Sequence, residues 1–439
     1  MRSLSQTFLS GVTLIVGLQA FAQVTAQNAL PSNSAPITIT LQDAIARAKA
    51  NSPAFHAALT DQGLAQQDKV QARAAFLPSV NYNAQYLYTE PVAGNPRFVA
   101  NNATREYFSQ GNAHQAVDLA DLANYRRSIA LAEVARAKAE IAVRGLVVTV
   151  VQNYYGFVVA QRKYSTAEMA STEAARFLDI SQKLEHGGEV AHSDTIKAQL
   201  QANDKQHDLR ESQLAMEKSR VDLAVLLFPD FNENFSVVDD LRLPDSIPSY
   251  QEIEALARKN NPDLEVALAT VKAGNAEVQA ARAGYLPAVG LDYNYGIDAT
   301  HFAVRTDGVR NLGYSAGATL NLPVWNWGIT HSKVKQSILR RDQARLELTF
   351  AQKRLLGQLK TSYSEAETSS AELDLLRQSA QLAAESLRLT TLRYQGGEAT
   401  VLEVVDAQNA VALARNAFDE GEVRYRAAVA NLQTLTGTF

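Results

Sequence analysis

Two hydrophobic periods alternate along the chain. Val289, Leu291, Tyr293, Tyr295 and Ile297 take turns with Gly290, Asp292, Asn294, Gly296 and Asp298. Leu312, Tyr314, Ala316, Ala318, Leu320 and Leu322 do the same with Gly313, Ser315, Gly317, Thr319 and Asn321. A period of two predicts strands with one apolar and one wet face. In the first half, 80–88 sets Tyr82, Tyr86 and Tyr88 on one face, and 106–119 follows less cleanly. Turn residues such as Thr306-Asp307-Gly308 predict that each pair of strands is a hairpin. Elsewhere the pattern is helical and long: 126–184 and 330–394 contain no proline and almost no glycine. Sixty helical residues reach about 90 Å, far beyond an ordinary globular helix. In the last helix Val404, Ala407, Val411, Ala414, Phe418, Tyr425, Ala428, Leu432 and Leu435 step by three and four. That is a coiled-coil seam, in which Gly421 leaves one position without a side chain.

The whole pattern occurs twice. ARAAFLPSV at 72–80 returns as ARAGYLPAV at 281–289, an offset of 209 residues that also superposes Tyr154 on Tyr363 and Gly187-Gly188-Glu189 on Gly396-Gly397-Glu398. Each half reads helix, two strands, long helix, turn, helix. At Pro78 and Pro287 the helical period stops and the strand period starts, because proline ends a helix and biases its predecessor to extended geometry. These two prolines are the predicted helix-to-strand junctions. The expected organisation is an export signal over 1–26, a first repeat over 27–227, a Pro/Asp/Asn/Ser-rich linker over 228–249 and a second repeat over 250–439. The signal rests on Arg2, an apolar run too short to span a membrane, and small residues that place cleavage after Ala22 or Ala26.

Strands of about ten residues are long enough to cross an outer membrane when tilted. Four of them cannot close a barrel, and an open sheet edge in lipid strands backbone groups at several kcal/mol each. Several copies must therefore share one barrel, eight strands from two chains or twelve from three. Composition adds exclusions. The net charge of −4 offers no basic footprint for nucleic acid. The absence of cysteine removes disulfides, thiolate metal sites and a lipidated cysteine. Seven histidines are scattered without metal-ligand spacing, so neither metal nor cofactor is expected. Gly313-Tyr-Ser315-Ala-Gly317 matches a nucleophile elbow in letters only, since its serine falls mid-strand and no enzyme motif survives. Asn102-Ala-Thr104 fits a glycosylation acceptor but reads as a hairpin loop, and Trp325 and Trp327 fit either an interfacial aromatic belt or, the preferred reading, packing at the barrel-to-helix junction.

The duplicated ARAxxLPxV junction, the LNLPVWNWG segment at 320–328 and the glycine turns GGEVAHSDTIKA and GGEATVLEVVDAQ resemble the TolC-like outer-membrane efflux proteins. The resemblance covers essentially all of 40–439. It implies a mixed α and β membrane protein: a homotrimer whose 12-stranded outer-membrane β-barrel, four strands per chain, continues into a coiled-coil α-helical periplasmic tunnel. It implies an exit duct in outer-membrane lipid, serving an inner-membrane transporter through a periplasmic adaptor protein. It places a gate at the periplasmic tip, where Glu403, Asp406 and Asp194 match the family's acidic positions. It places adaptor docking at Gly187, Gly188, Glu189, Gly396, Gly397 and Glu398. Rings of Glu403 and Asp406 in a trimer favour cations. Thr400-Val-Leu-Glu403 is also a capping box, so Glu403 has an ordinary structural role available to it. Ala399 stands where the family pattern can carry an arginine latch, which this chain therefore lacks at that position. The competing function is a trimeric structural or adhesive stalk without a conducting lumen; polar inner-face residues Asp292, Asn294, Asp298 and Asn321 favour the duct.

Overall fold

A computed structural model describes residues 37–89, 105–239, 241, 247–302, 308 and 310–438. The export signal, Asn102-Ala-Thr104, Thr306-Asp307 and part of the linker lie outside the described residues. The first half runs β1 (Ile37–Ile39), α1 (Leu41–Asn51), α2 (Pro53–Ala74), β2 (Ser79–Tyr88), β3 (Arg105–Val117), α3 (Leu119–His186) and α4 (His192–Leu227). After β4 (Phe235–Val237) the second half repeats it as α5 (Tyr250–Asn260), α6 (Pro262–Ala283), β5 (Ala288–Ala299), β6 (Leu312–Asn321), α7 (Ile329–Gln395) and α8 (Val401–Thr436). The bounds of α1, α2 and α4 fall on those of α5, α6 and α8 at the 209-residue offset.

Each half opens with two helices where the sequence pattern suggested one. Ser52 and Asn261 are extended, and their side chains accept from the N–H of Phe55 and Leu264. Pro53 and Pro262 then occupy the first helical position, where a missing N–H costs nothing. A proline that starts a helix also prevents its predecessor from continuing one. Pro78 and Pro287 stand one residue before β2 and β5, after tight turns closed by Leu77 N–H to Ala74 O (2.9 Å) and Leu286 N–H to Ala283 O (2.8 Å). The second strand ends at Val117 rather than at Leu119, because the Asp118 carboxylate caps Ala120 N–H and opens α3 there.

The sheet is antiparallel in the order β2-β3-β5-β6, so each half supplies a hairpin and β2 and β6 are left as open edges. Registers sort the residues into two faces. Val80, Tyr82, Tyr86, Tyr107, Leu291, Tyr293, Tyr295, Tyr314 and Leu320 share the apolar one, and Asn81, Asn112, Asn294 and Ser315 share a row on the other. Amide and hydroxyl groups cross that wet row: Asn112 donates to Asn294 at 2.7 Å, and Asn294 donates to Ser315 at 3.3 Å. Ser315 is thus one member of a polar ladder and no elbow.

The 68 residues of α3 and 67 of α7 would each extend about 100 Å. They pair with α4 and α8 as two antiparallel hairpins. Their main core lies mid-length: Tyr154, Phe157 and Val158 of α3 meet Leu223 and Leu227 of α4 and Phe235 of β4. The Tyr154 hydroxyl reaches Ile39 O and Val238 O at 3.1 and 2.8 Å and accepts from Val238 N–H. It thereby fastens the parallel β1–β4 pair, which three-residue strands hide from any periodicity test. Beside it Arg162 donates a fork to Asp239 (2.7 and 2.8 Å) and reaches Asp419 and Glu422 on α8. Burial pushes the Asp419 carboxyl above its ordinary value even with that guanidinium beside it. In the seam of α8, a Cβ on Gly421 would lie 2.6 Å from Leu376 Cδ1, so the missing side chain admits a leucine from α7.

Candidate functional site at the helical tips

Both hairpins end in the same backbone device. Glu189 N–H reaches Leu184 O at 2.9 Å and Gly188 N–H reaches Glu185 O at 2.9 Å. Glu398 N–H and Gly397 N–H make the matching bonds to Arg393 O and Tyr394 O at 2.8 and 3.1 Å. Each is a Schellman closure, which satisfies the last carbonyls of the long helix. The residue in the left-handed region is the second glycine of each pair, Gly188 at φ 78° and Gly397 at φ 74°. Gly187 and Gly396 are right-handed, at φ −74° and −84°.

A shared apolar cluster sits under the two turns: Phe177 of α3, Ala198 of α4, Tyr394 of α7, and Val401 and Val404 of α8. The Phe177 and Tyr394 rings lie 5.0 Å apart, and the Tyr394 hydroxyl meets Ser181 Oγ at 3.1 Å. Val190 and Ala399, the residues after each turn, pack against this cluster from its edge. Ala399 is therefore an apolar contact in the place of a latch.

The acids differ in their engagement. Glu403 completes the capping box of α8: Thr400 N–H donates to its Oε1 at 3.1 Å, and Glu403 N–H donates to Thr400 Oγ1. The Arg393 guanidinium lies 3.4 Å from its other oxygen and donates to Glu398 O. The Thr400 N–H and hydroxyl, with Arg393 behind them, hold the Glu403 carboxyl below its ordinary value. Asp194 pairs with Lys197 at 3.1 Å. Asp406 is exposed and makes no ion pair among the described residues. Glu185 and His192 clasp the first turn at 2.7 Å.

Arg393, Glu185, His192 and Tyr394 were absent from the sequence-based site. The offset of 209 could have found Glu185, His192 and Tyr394, since it superposes Glu185 on Tyr394 and His192 on Val401, and so marks a polar pair in the place of an apolar one. Away from the tip, Trp325 and Trp327 face one another in a T-shape at 5.7 Å between β6 and α7 and stay exposed on the single chain. Among the described residues no helix is long and apolar enough to cross a membrane.

An amphipathic strand hairpin from each half, set on helices that end in paired glycine turns, defines the class of helical-duct outer-membrane proteins. The chain belongs to the outer membrane efflux protein family, whose model matches residues 44–227 and 255–438. It is an outer-membrane protein of a family of channels rather than enzymes. It is 25% identical over 402 residues to the alkaline protease secretion protein AprF of Pseudomonas aeruginosa, covering 89% of this chain and 82% of that one. It is 22% identical over 402 residues to the outer membrane protein TolC of Vibrio cholerae, covering 90% and 89%. Its fold matches the crystal structure of the Campylobacter jejuni CmeC outer membrane channel with a TM-score of 0.79, at 19% identity and 90% and 85% coverage.

Proposed function

We propose that this protein is the exit duct of a tripartite efflux or type I secretion system. Three copies close a 12-stranded barrel in the outer membrane, and their helices form a periplasmic tunnel. Transport through it is passive, with an inner-membrane transporter delivering cargo through a periplasmic adaptor that docks on the turns at Gly187-Gly188-Glu189 and Gly396-Gly397-Glu398. Residues 1–26 are removed on export, and two repeats, 27–227 and 250–439, flank the linker 228–249. The observation that carries the reading is the four-stranded sheet with one apolar face and two open edges, β2 and β6. Open edges are untenable in lipid, so strands of other copies must pair with them. The wet face, with Asn81, Asn112, Asn294 and Ser315 in one row, supports a water-filled lumen over a packed stalk.

At the tip, Glu403, Asp406 and Asp194 form the gate, with Asp406 dominant. Arg393 offsets Glu403 and Lys197 offsets Asp194, whereas Asp406 is exposed and has no ion-pair partner among the described residues, in each copy of a threefold ring. Single-channel recording of the purified protein with a multivalent cation on one side at a time tests this. Openings blocked from the periplasmic side alone are expected, with block relieved in Asp406→Asn. A folded, inserted oligomer that passes no ions would return the stalk.

A further inference from the structure

The chain has two tryptophans, and both stand on the turn between β6, which ends at Asn321, and α7, which begins at Ile329. Ile329 N–H reaches Asn326 O at 3.1 Å, with Trp327 at φ 53° and Gly328 at φ 81° and ψ 8°. That is the pattern of a type I′ turn, whose two central residues are left-handed and are ordinarily glycine, asparagine or aspartate. Trp327 is the single non-glycine residue at positive φ among the described residues, and that region costs a bulky side chain about 1–2 kcal/mol. The backbone of the turn is held from below: the Asn326 amide donates to the Thr330 hydroxyl, and Thr330 is buried with Gly284 beside it. The indoles are not held. Trp325 and Trp327 are 75% and 86% exposed, and Leu322, Val324 and Ile329 around them are exposed as well. Among the described residues the strained turn gains one ring contact, between the two indoles, and no burial.

The duplicated connection has none of this. At the 209-residue offset Val324-Trp325-Asn326-Trp327 falls on Gln115-Ala116-Val117-Asp118, where β3 runs straight into the Asp118 cap of α3. The two connections differ in what lies beside them. β3 is flanked by β2 and β5 of its own chain, whereas β6 has β5 on one side and an open edge on the other. An aromatic girdle against lipid would be called for at both, since both leave the sheet at its helix end. The indoles stand only on the connection that borders an open edge. Strand direction then says what meets them. β6 runs toward the helices and β2 away from them, so the end of one open edge and the start of the other lie at the same end of the sheet. Continuing the antiparallel order across a copy boundary sets β6 beside the next copy's β2. There Phe76, Leu77 and Val80 are exposed; Leu77 is 68% exposed, against 46% for its equivalent Leu286 before the inner strand β5.

We infer that the Trp325 and Trp327 turn docks on Phe76, Leu77 and Val80 of a second copy of this chain, an apolar clamp at the helix end of each seam between copies. This rests on the shared-barrel reading above. The strained turn is completed only in the oligomer, where burial of two indoles against a neighbour offsets the cost of the left-handed Trp327.

A chain without cysteine and without further tryptophan makes the test specific. In the reconstituted wild-type oligomer, tryptophan emission should be blue-shifted and shielded from both iodide and brominated lipid, and the shielding should be lost on dissociation. Chains carrying Trp325→Cys and chains carrying Leu77→Cys, coexpressed and oxidised in the membrane, should give a disulfide-linked dimer. Trp325→Cys with Leu286→Cys on separate chains should not, because β5 of the next copy lies two strands beyond its β2. Trp327→Gly relieves the turn, yet its oligomer should dissociate roughly ten times faster than wild type, as the loss of a buried aromatic anchor implies. Quenching of the intact oligomer by brominated lipid would seat the turn in the membrane interface, and quenching by iodide would leave it in water. Either result, an absent Trp325→Cys to Leu77→Cys link, or slower dissociation of Trp327→Gly overturns the clamp and leaves the shared barrel standing. A wild-type protein that is monomeric in the membrane ends both.

Discussion

The turn at Gly187-Gly188 and the turn at Gly396-Gly397 share a backbone and differ in almost every side-chain contact. Both close with the same two hydrogen bonds and the same left-handed second glycine. Around the second, Tyr394 and Val401 are buried, Thr400 caps α8 and Arg393 reaches Glu403. Around the first, the equivalent residues Glu185 and His192 form an exposed polar clasp, and Ala191 begins α4 without a side-chain cap. Duplication kept what the chain needs in order to reverse direction. Divergence then left both turns resting on the shared core, the second with its own helix cap and the first with a hydrogen bond between Glu185 and His192.

The largest way to break the comparison is Tyr394→Ala. It empties a site 3% exposed and should lower the opening free energy of amides on both turns by about 3 kcal/mol, because Phe177 of the other hairpin leans on the same ring. Glu185→Ala, at the equivalent position, should loosen the first turn alone. Hydrogen exchange at the tip amides reads both. Next are the glycines: Gly188→Ala and Gly397→Ala should each cost about 1 kcal/mol, alike on the two turns, with Gly187→Ala and Gly396→Ala close to neutral. Unequal costs would show that the turns differ in backbone after all. Caps sharpen the contrast further. Thr400→Ala should weaken α8 by about 1 kcal/mol, while Ala191→Ser should strengthen α4 by several tenths, since Asp194 already waits at the third helical position. The smallest effect is on acidification. Glu403 is held below the ordinary glutamate value of 4.5, so its contribution is complete above that value and is lost as pH falls through its lower folded one. Faster exchange at Thr400 N–H below pH 4.5 should report this, with no such step in Glu403→Gln.

Much of the fold was legible before any coordinate. Period two in 289–298 and the proline junctions needed only local sterics, and they located β5, Pro78 and Pro287 to within a residue or two. The break at Ser52-Pro53 is equally local, since Pro53 at the first helical position keeps Ser52 extended and separates α1 from α2. The β1–β4 pair and the Arg162 cluster were beyond reach. Arg162, Asp239 and Asp419 are separated by 77 and 257 residues from α3's side, and only tertiary packing brings them together. At the tip, the acids were visible as letters, but which of them has a cation partner depends on Arg393 and Lys197 lying within reach.

The open edges of the sheet have a genetic consequence. In the proposed trimer, each chain offers β2 to one neighbour and β6 to the other, so a chain unable to present either edge spoils a barrel to which two sound chains have contributed. Coexpressed in equal amounts with such a variant, wild-type chains would assemble into fully sound trimers only about one time in eight. A lesion in β2 or β6 should therefore behave as dominant.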